Sequence, residues 1–145
     1  MHHTIWHSLD ISLDALNERN AGTMADFLGI EFTEIGNNYL RATMPVNERT
    51  LQPRGILHGG AAAALIETIG SVASSMVIDP GVFVCAGIAV NANHVRSVGK
   101  GFVHAVATAL HIGSSTHVWE VRVKDDEDAL ISAGRLTVAV LRKNK

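Results

Sequence analysis

Apolar residues follow two periods along this chain. Leu9, Leu13 and Leu16 recur at helical spacing, with Asp10 or Ser12 placed to cap, and predict a short helix over 9–19. A brief helical turn over 23–28 follows and ends at Gly29. From Ile30 the period shortens to two. Residues 30–35 alternate around Phe32, Gly36-Asn37-Asn38 supplies turn chemistry, and 39–46 completes a hairpin. The polar connection NERTLQPRGILHGG then feeds a long helix from about His58 to Ile78, which Asp79-Pro80-Gly81 stops. Three longer extended runs cover 82–95, 101–112 and 116–124, and Asp125 to Asp128 turns the chain into a last strand over 129–141. Neither repeat nor linker interrupts this order. Residues 1–145 therefore read as one domain, with 1–8 and 142–145 expected to fray.

The long helix is apolar or small nearly all the way round, with alanines at 61–64 and Gly70. Such a helix has to be covered on most sides. With about five strands available, an α+β arrangement is expected, one antiparallel sheet wrapped around the helix. The stretch AAAALIETIGSVASSMV is short for a bilayer and carries Glu67, Ser71, Ser74 and Ser75, so a buried helix is the better reading than a membrane span.

Composition narrows the function classes. Of 145 residues, 47% are hydrophobic and 18% charged, a globular balance that excludes a disordered chain. Twelve Lys+Arg against fourteen Asp+Glu leave a net charge of −2, which offers no basic excess for nucleic acid. Cys85 is the single cysteine; it excludes an intrachain disulfide or a CxxC metal site and fits a reducing cytoplasm. The N-terminal residues lack the pattern of a signal peptide. A chain this small and apolar is expected to hide surface in an oligomer. No HExxH, GxSxG, Walker or dinucleotide fingerprint is present. His104 and His117 lack metal-type spacing and read as structural or solvated, and Cys85 reads as a packed core thiol.

Two features carry chemistry. Glu67 interrupts an apolar helix among Leu65, Ile66, Ile69 and Val72, where a carboxylate costs several kcal/mol unless solvated or paired. Ser71, at i+4, shares its face. The second feature is Gln52-Pro53-Arg54-Gly55-Ile56-Leu57-His58-Gly59-Gly60, where glycines at a helix entrance let a ligand approach N–H groups at the positive end of the dipole. Gln52 and His58 add side-chain donors. Gly59 and Glu67 are eight residues apart, ~12 Å along a helix. Reacting atoms meet at ~3–3.5 Å, so one carbonyl cannot use both from the same helix. If both serve one reaction, two antiparallel helices related by a two-fold axis must contribute. His94 is either a ligand contact or a strand-end histidine, and the donor-rich run 111–116 is either a tight turn or a phosphate contact.

Together, Gln52-Pro53, Leu57-His58-Gly59-Gly60, Glu67 and Ser71 resemble the hotdog-fold acyl-CoA thioesterases, in the PaaI-like, 4-hydroxybenzoyl-CoA thioesterase branch. The stretches GIAVNANHVRS (87–97) and HIGSSTHVW (111–119) are similar to those of bacterial 1,4-dihydroxy-2-naphthoyl-CoA thioesterases and enterobactin-pathway proofreading thioesterases. The resemblance covers roughly residues 10–141. It implies a helix wrapped by a curved antiparallel sheet, a dimer usually doubled into a tetramer, and hydrolysis of an acyl thioester without metal or cofactor. Glu67 would be the nucleophile or general base, and Gly59 the backbone donor to the thioester C=O. Gln52 and His58 would support it, and Ser71 would position the Glu or water. Gly87 would lie near the acyl group. His94, Val95, Arg96 and Ser97, with His111, Ile112, Gly113, Ser114, Ser115 and Thr116, would contact substrate or CoA. Thr116 departs from the basic or imidazole group usual there. An aryl or related bulky acyl-CoA is the expected substrate, with carrier-protein thioesters as the variant. Hydratases of this fold use a different Asp/His arrangement, and a non-catalytic acyl-CoA sensor would lack the helix carboxylate or carry a DNA-binding appendage.

Overall fold

The computed structural model describes residues 3–145. Two short helices, α1 (Leu13–Glu18) and α2 (Met24–Phe27), precede the hairpin β1 (Glu31–Ile35) and β2 (Tyr39–Pro45). The long helix α3 (Gly59–Val77) follows, then β3 (Phe83–His94), β4 (Phe102–Ile112), β5 (Thr116–Lys124) and β6 (Leu130–Arg142). All six strands join one antiparallel sheet in the order β1-β2-β4-β5-β6-β3. These six strands fall on the six extended runs of the sequence, one more than the rounded count of about five.

The sheet closes around α3 through alternate residues of its concave face. Leu40, Met44, Val103, Ala105, Ala107, Trp119, Val121, Val123, Leu136 and Val138 pack there, against Ala62, Leu65, Ile66, Ile69, Ala73 and Met76 of the helix. Gly70 is where the small residues matter most: a Cβ there would lie 2.6 Å from Leu136 Cδ2, so the sheet occupies the space a side chain would need. By length and composition α3 could cross a membrane, but here its Leu65, Ile66 and Ile69 face is buried against the strands.

One polar cluster sits inside this core. Trp119 Nε1–H donates to Ser74 Oγ at 2.7 Å, and Ser74 Oγ lies 3.0 Å from His117 Nδ1. With its oxygen already accepting from the indole, the hydroxyl gives its hydrogen to the imidazole. His117 is 2% exposed. Desolvation, helped by nearby His111, pushes its pKa below the ordinary 6.5, against the opposing pull of a hydrogen bond to the Gly113 backbone. It is a structural histidine, as its lack of metal-type spacing suggested. His104 instead pairs on the exposed face with Asp126, at 2.7 Å.

The ends differ from expectation. Trp6 is buried, stacks on Trp119 with centroids 6.3 Å apart, and donates from Nε1 to the Gly36 carbonyl. Ile5 and His7 donate backbone N–H groups to Asn37 and Met76. Arg142 ends β6, and Lys143 N–H reaches the Val82 carbonyl. A large indole with a partner for its N–H anchors the segment that was expected to fray; Met1 and His2 lie outside the described residues. Helix α1 is shorter than its periodicity implied, because Ser12 caps it by accepting from Ala15 N–H and Leu9 is left 82% exposed.

Candidate active site

The first N–H groups of a helix have no partner one turn back. At α3, Ala61 and Ala62 donate to the His58 carbonyl, and Gly60 donates to His58 Nδ1 at 2.8 Å. Gly59 N–H alone is left without a partner among the described residues. Because His58 Nδ1 accepts, the neutral ring keeps its proton on Nε2 and presents a donor. Gln52 Oε1 accepts from Arg54 N–H at 2.5 Å, which leaves its amide NH2 as a free donor. These groups line a cleft of about 390 Å³ together with Arg54 and the predicted contact stretch His94, Val95, Arg96 and Ser97. One mouth thus gathers an unpaired N–H, two side-chain donors and two guanidinium groups.

Glu67 lies elsewhere. It follows Gly59 by about two helical turns, and its carboxylate rests against Gly87 on β3, where a Cβ would collide with Oε1. The side chain is half-buried and makes no hydrogen bond among the described residues. The lone buried carboxylate suggested by the sequence is therefore only partly covered, because β3 is the sheet edge and leaves that side open. Ser71 is also half-buried. It lines a second cleft of about 490 Å³ with Cys85, Met76, Phe83, Leu16 and Ile11, and no hydrogen bond joins it to Glu67. Cys85 forms part of a cavity wall rather than the deep core, and burial pushes its thiol pKa up.

The run from His111 to Thr116 is the tight β4–β5 connection: Gly113 N–H donates to the Thr116 carbonyl at 2.8 Å. Thr116 pairs with Ala139, which pairs with Ala86, so His111, Ile112, Gly113, Ser114, Ser115 and Thr116 stand toward the Gly87 end of β3. The predicted residues fall into two groups. Gln52, His58, Gly59 and 94–97 assemble at one end of the α3–β3 pair, and Glu67, Ser71, Gly87 and 111–116 toward the other. The reason is geometric. α3 and β3 run antiparallel, with Gly59 against His94 and Glu67 against Gly87.

Ser132 was not found from the sequence. It is fully buried on β6, directly opposite His94, with its Oγ 2.7 Å from His94 Nδ1. The two are 38 residues apart, and only the β3–β6 register joins them. No three His, Cys, Asp or Glu side chains form a metal-type group among the described residues.

Comparison with known proteins fits this layout. The family model described as the thioesterase superfamily matches residues 54–132, from the helix entrance to Ser132. The 1,4-dihydroxy-2-naphthoyl-CoA hydrolase of Escherichia coli K12 is 47% identical over 131 residues, covering 90% of this chain and 96% of that protein. The proofreading thioesterase EntH of Cronobacter turicensis is 43% identical, over 90% and 95% of the two chains. The crystal structure of a variant thioesterase from Pseudomonas aeruginosa superposes with a TM-score of 0.94 at 41% identity, covering 97% of this chain and all of that one. With its central helix, its wrapped antiparallel sheet and this similarity over nearly its whole length, the chain belongs to the thioesterase superfamily and is a hotdog-fold thioester hydrolase.

Proposed function

We propose that the protein hydrolyses a bulky or aromatic acyl-CoA to the free acid and CoA, at sites that two copies of the chain build together. The observation that carries this reading is the separation of two half-sites on one helix. The unpaired Gly59 N–H is suited to the oxyanion of a tetrahedral intermediate, and Gln52 and His58 supply flanking donors. Arg54 and Arg96 in the same cleft suit the phosphates of CoA. The chemistry also needs a carboxylate, and the one at Glu67 is ~12 Å away along the helix.

A two-fold axis across the middle of β3 resolves the separation. β3 is an exposed edge twelve residues long, with Val84, Ile88 and Val90 each more than 40% exposed. Such an edge invites a second antiparallel strand. Pairing β3 with its own copy brings the His94 end of one chain to the Gly87 end of the other. Gln52, His58, Gly59 and 94–97 of one chain then face Glu67, Ser71 and 111–116 of its partner. A dimer, or a tetramer made of two such dimers, follows. The cleft beyond Ser71 has room for a ring system as the acyl group, and the name of the Escherichia coli relative points to an aromatic acyl-CoA.

Glu67 reaches the products in one of two ways. As a nucleophile it attacks the thioester carbon, expels the CoA thiolate and leaves a mixed anhydride that water opens. As a general base it takes a proton from the water that attacks. Solvent oxygen recovered in the Glu67 carboxylate after a single turnover in 18O-water would establish the anhydride route, since water that opens the anhydride at its glutamyl carbon leaves its oxygen there and general-base hydrolysis does not. The function itself is tested with Glu67→Gln on a panel of aromatic and aliphatic acyl-CoAs and carrier-protein thioesters. The variant is expected to stay folded, bind thioester and release no CoA thiol. A folded Glu67→Gln with near wild-type release would overturn the reading, as would wild-type protein that binds acyl-CoA tightly without cleaving it.

A further inference from the structure

Ser132 and His94 form a pair whose hydrogens can be placed by elimination. Ser132 is 0% exposed, and its hydroxyl has a single hydrogen-bond partner among the described residues, His94 Nδ1 at 2.7 Å. If the ring donated Nδ1–H, the serine hydrogen would be buried with no acceptor, which costs about 1–3 kcal/mol. If the serine donates, both groups are satisfied and the ring proton sits on Nε2. That nitrogen is the atom nearest to Gly59: a Cβ at position 59 would lie 2.7 Å from it. The donor edge of His94 therefore stands beside Gly59, whose N–H is unpaired among the described residues, at the rim of the same cleft.

We propose that Ser132 is a positioning residue that locks His94 in the Nε2–H form, making it a second donor to the thioester oxygen beside Gly59 N–H. The inference rests on the thioesterase reading above. It differs from that reading in giving a role to a buried serine that touches no substrate. It also gives a reason for glycine at 59, since any side chain would push the imidazole away from the oxyanion position.

The test uses the full-length enzyme with benzoyl-CoA and has two arms. In the kinetic arm, Ser132→Ala is expected to lower kcat about 10-fold, the scale of one hydrogen bond, with KM little changed. Ser132→Thr should restore most of it. In a His94→Gln background, where no ring remains to be held, Ser132→Ala should have no further effect. In the second arm, 15N spectra of the histidine rings, assigned with His94→Gln, should show His94 protonated on Nε2 in the wild type and a mixture of tautomers in Ser132→Ala. An equal loss in both backgrounds, or Nδ1 protonation in the wild type, would overturn the proposal. A wild-type enzyme inert toward thioesters would sink the functional reading instead, and the spectra would still decide the tautomer.

Discussion

Gly59 and Gly87 each keep open a space that one methyl group would fill. At 87 the obstacle to a Cβ is the end of the Glu67 side chain, which can swing away. Gly87→Ala should therefore cost little stability, within about 1 kcal/mol by thermal melting. It should nonetheless lower kcat by about 10-fold or more, because the carboxylate is moved from its place. If Gly87→Ala retains wild-type kcat, the position of Glu67 against β3 has no bearing on turnover. Glu67→Gln removes only the charge and the basic oxygen, so the two variants separate placement from chemistry.

At the scale of the element, α3 is held from inside by Ser74. Ser74→Ala would leave the Trp119 indole N–H without its acceptor in the core, at a cost of about 1–3 kcal/mol. Urea titration should show that loss at pH 7.5. The same cluster makes stability depend on pH. Folding lowers the pKa of His117, so below about 6.5 the unfolded chain takes up the proton first. The stabilisation by neutral His117 is complete above the unfolded value and is lost as the pH falls through the folded one. The urea midpoint is expected to decline as the pH falls below about 6.5, and His117→Gln should flatten that decline. An unchanged slope in the variant would place the pH dependence on another group.

At the scale of the whole molecule, the open edge of β3 is where the proposed dimer is tested. Ile88→Asp with Val90→Asp sets like charges along that edge, and should shift sedimentation from dimer or tetramer to monomer and abolish turnover together. An active monomer would exclude a shared site. The complementary test mixes inactive Glu67→Ala with inactive Gln52→Ala/His58→Ala after dissociation and reassembly. Each heterodimer then has one site with both defects and one with none, so activity should return to about half of wild type per heterodimer and about a quarter over a random mixture. Heterodimers as dead as their parents would mean that the carboxylate and the donor do not meet across the axis.

Much of this molecule was legible in the chain itself. Period-two runs marked the strands to within a residue or two, and the all-round apolar helix implied its own cover. Glu67 stood out because a carboxylate among Leu65, Ile66 and Ile69 has no reason to be there in a helix built only to pack. The ~12 Å between Gly59 and Glu67 follows from helical rise alone, so the proposal of a shared site starts from the sequence itself. Other features depend on which strands lie side by side. Alternation says that a strand has a buried face, not which neighbour it pairs with, so the meeting of His94 with Ser132 and of His117 with Ser74 could not be foreseen. The same holds for Trp6, which looks like part of a loose end until its ring is found stacked on Trp119. Local periodicity is set by the backbone and travels with the sequence; contacts between residues tens of positions apart are set by sheet register, which only the folded chain decides.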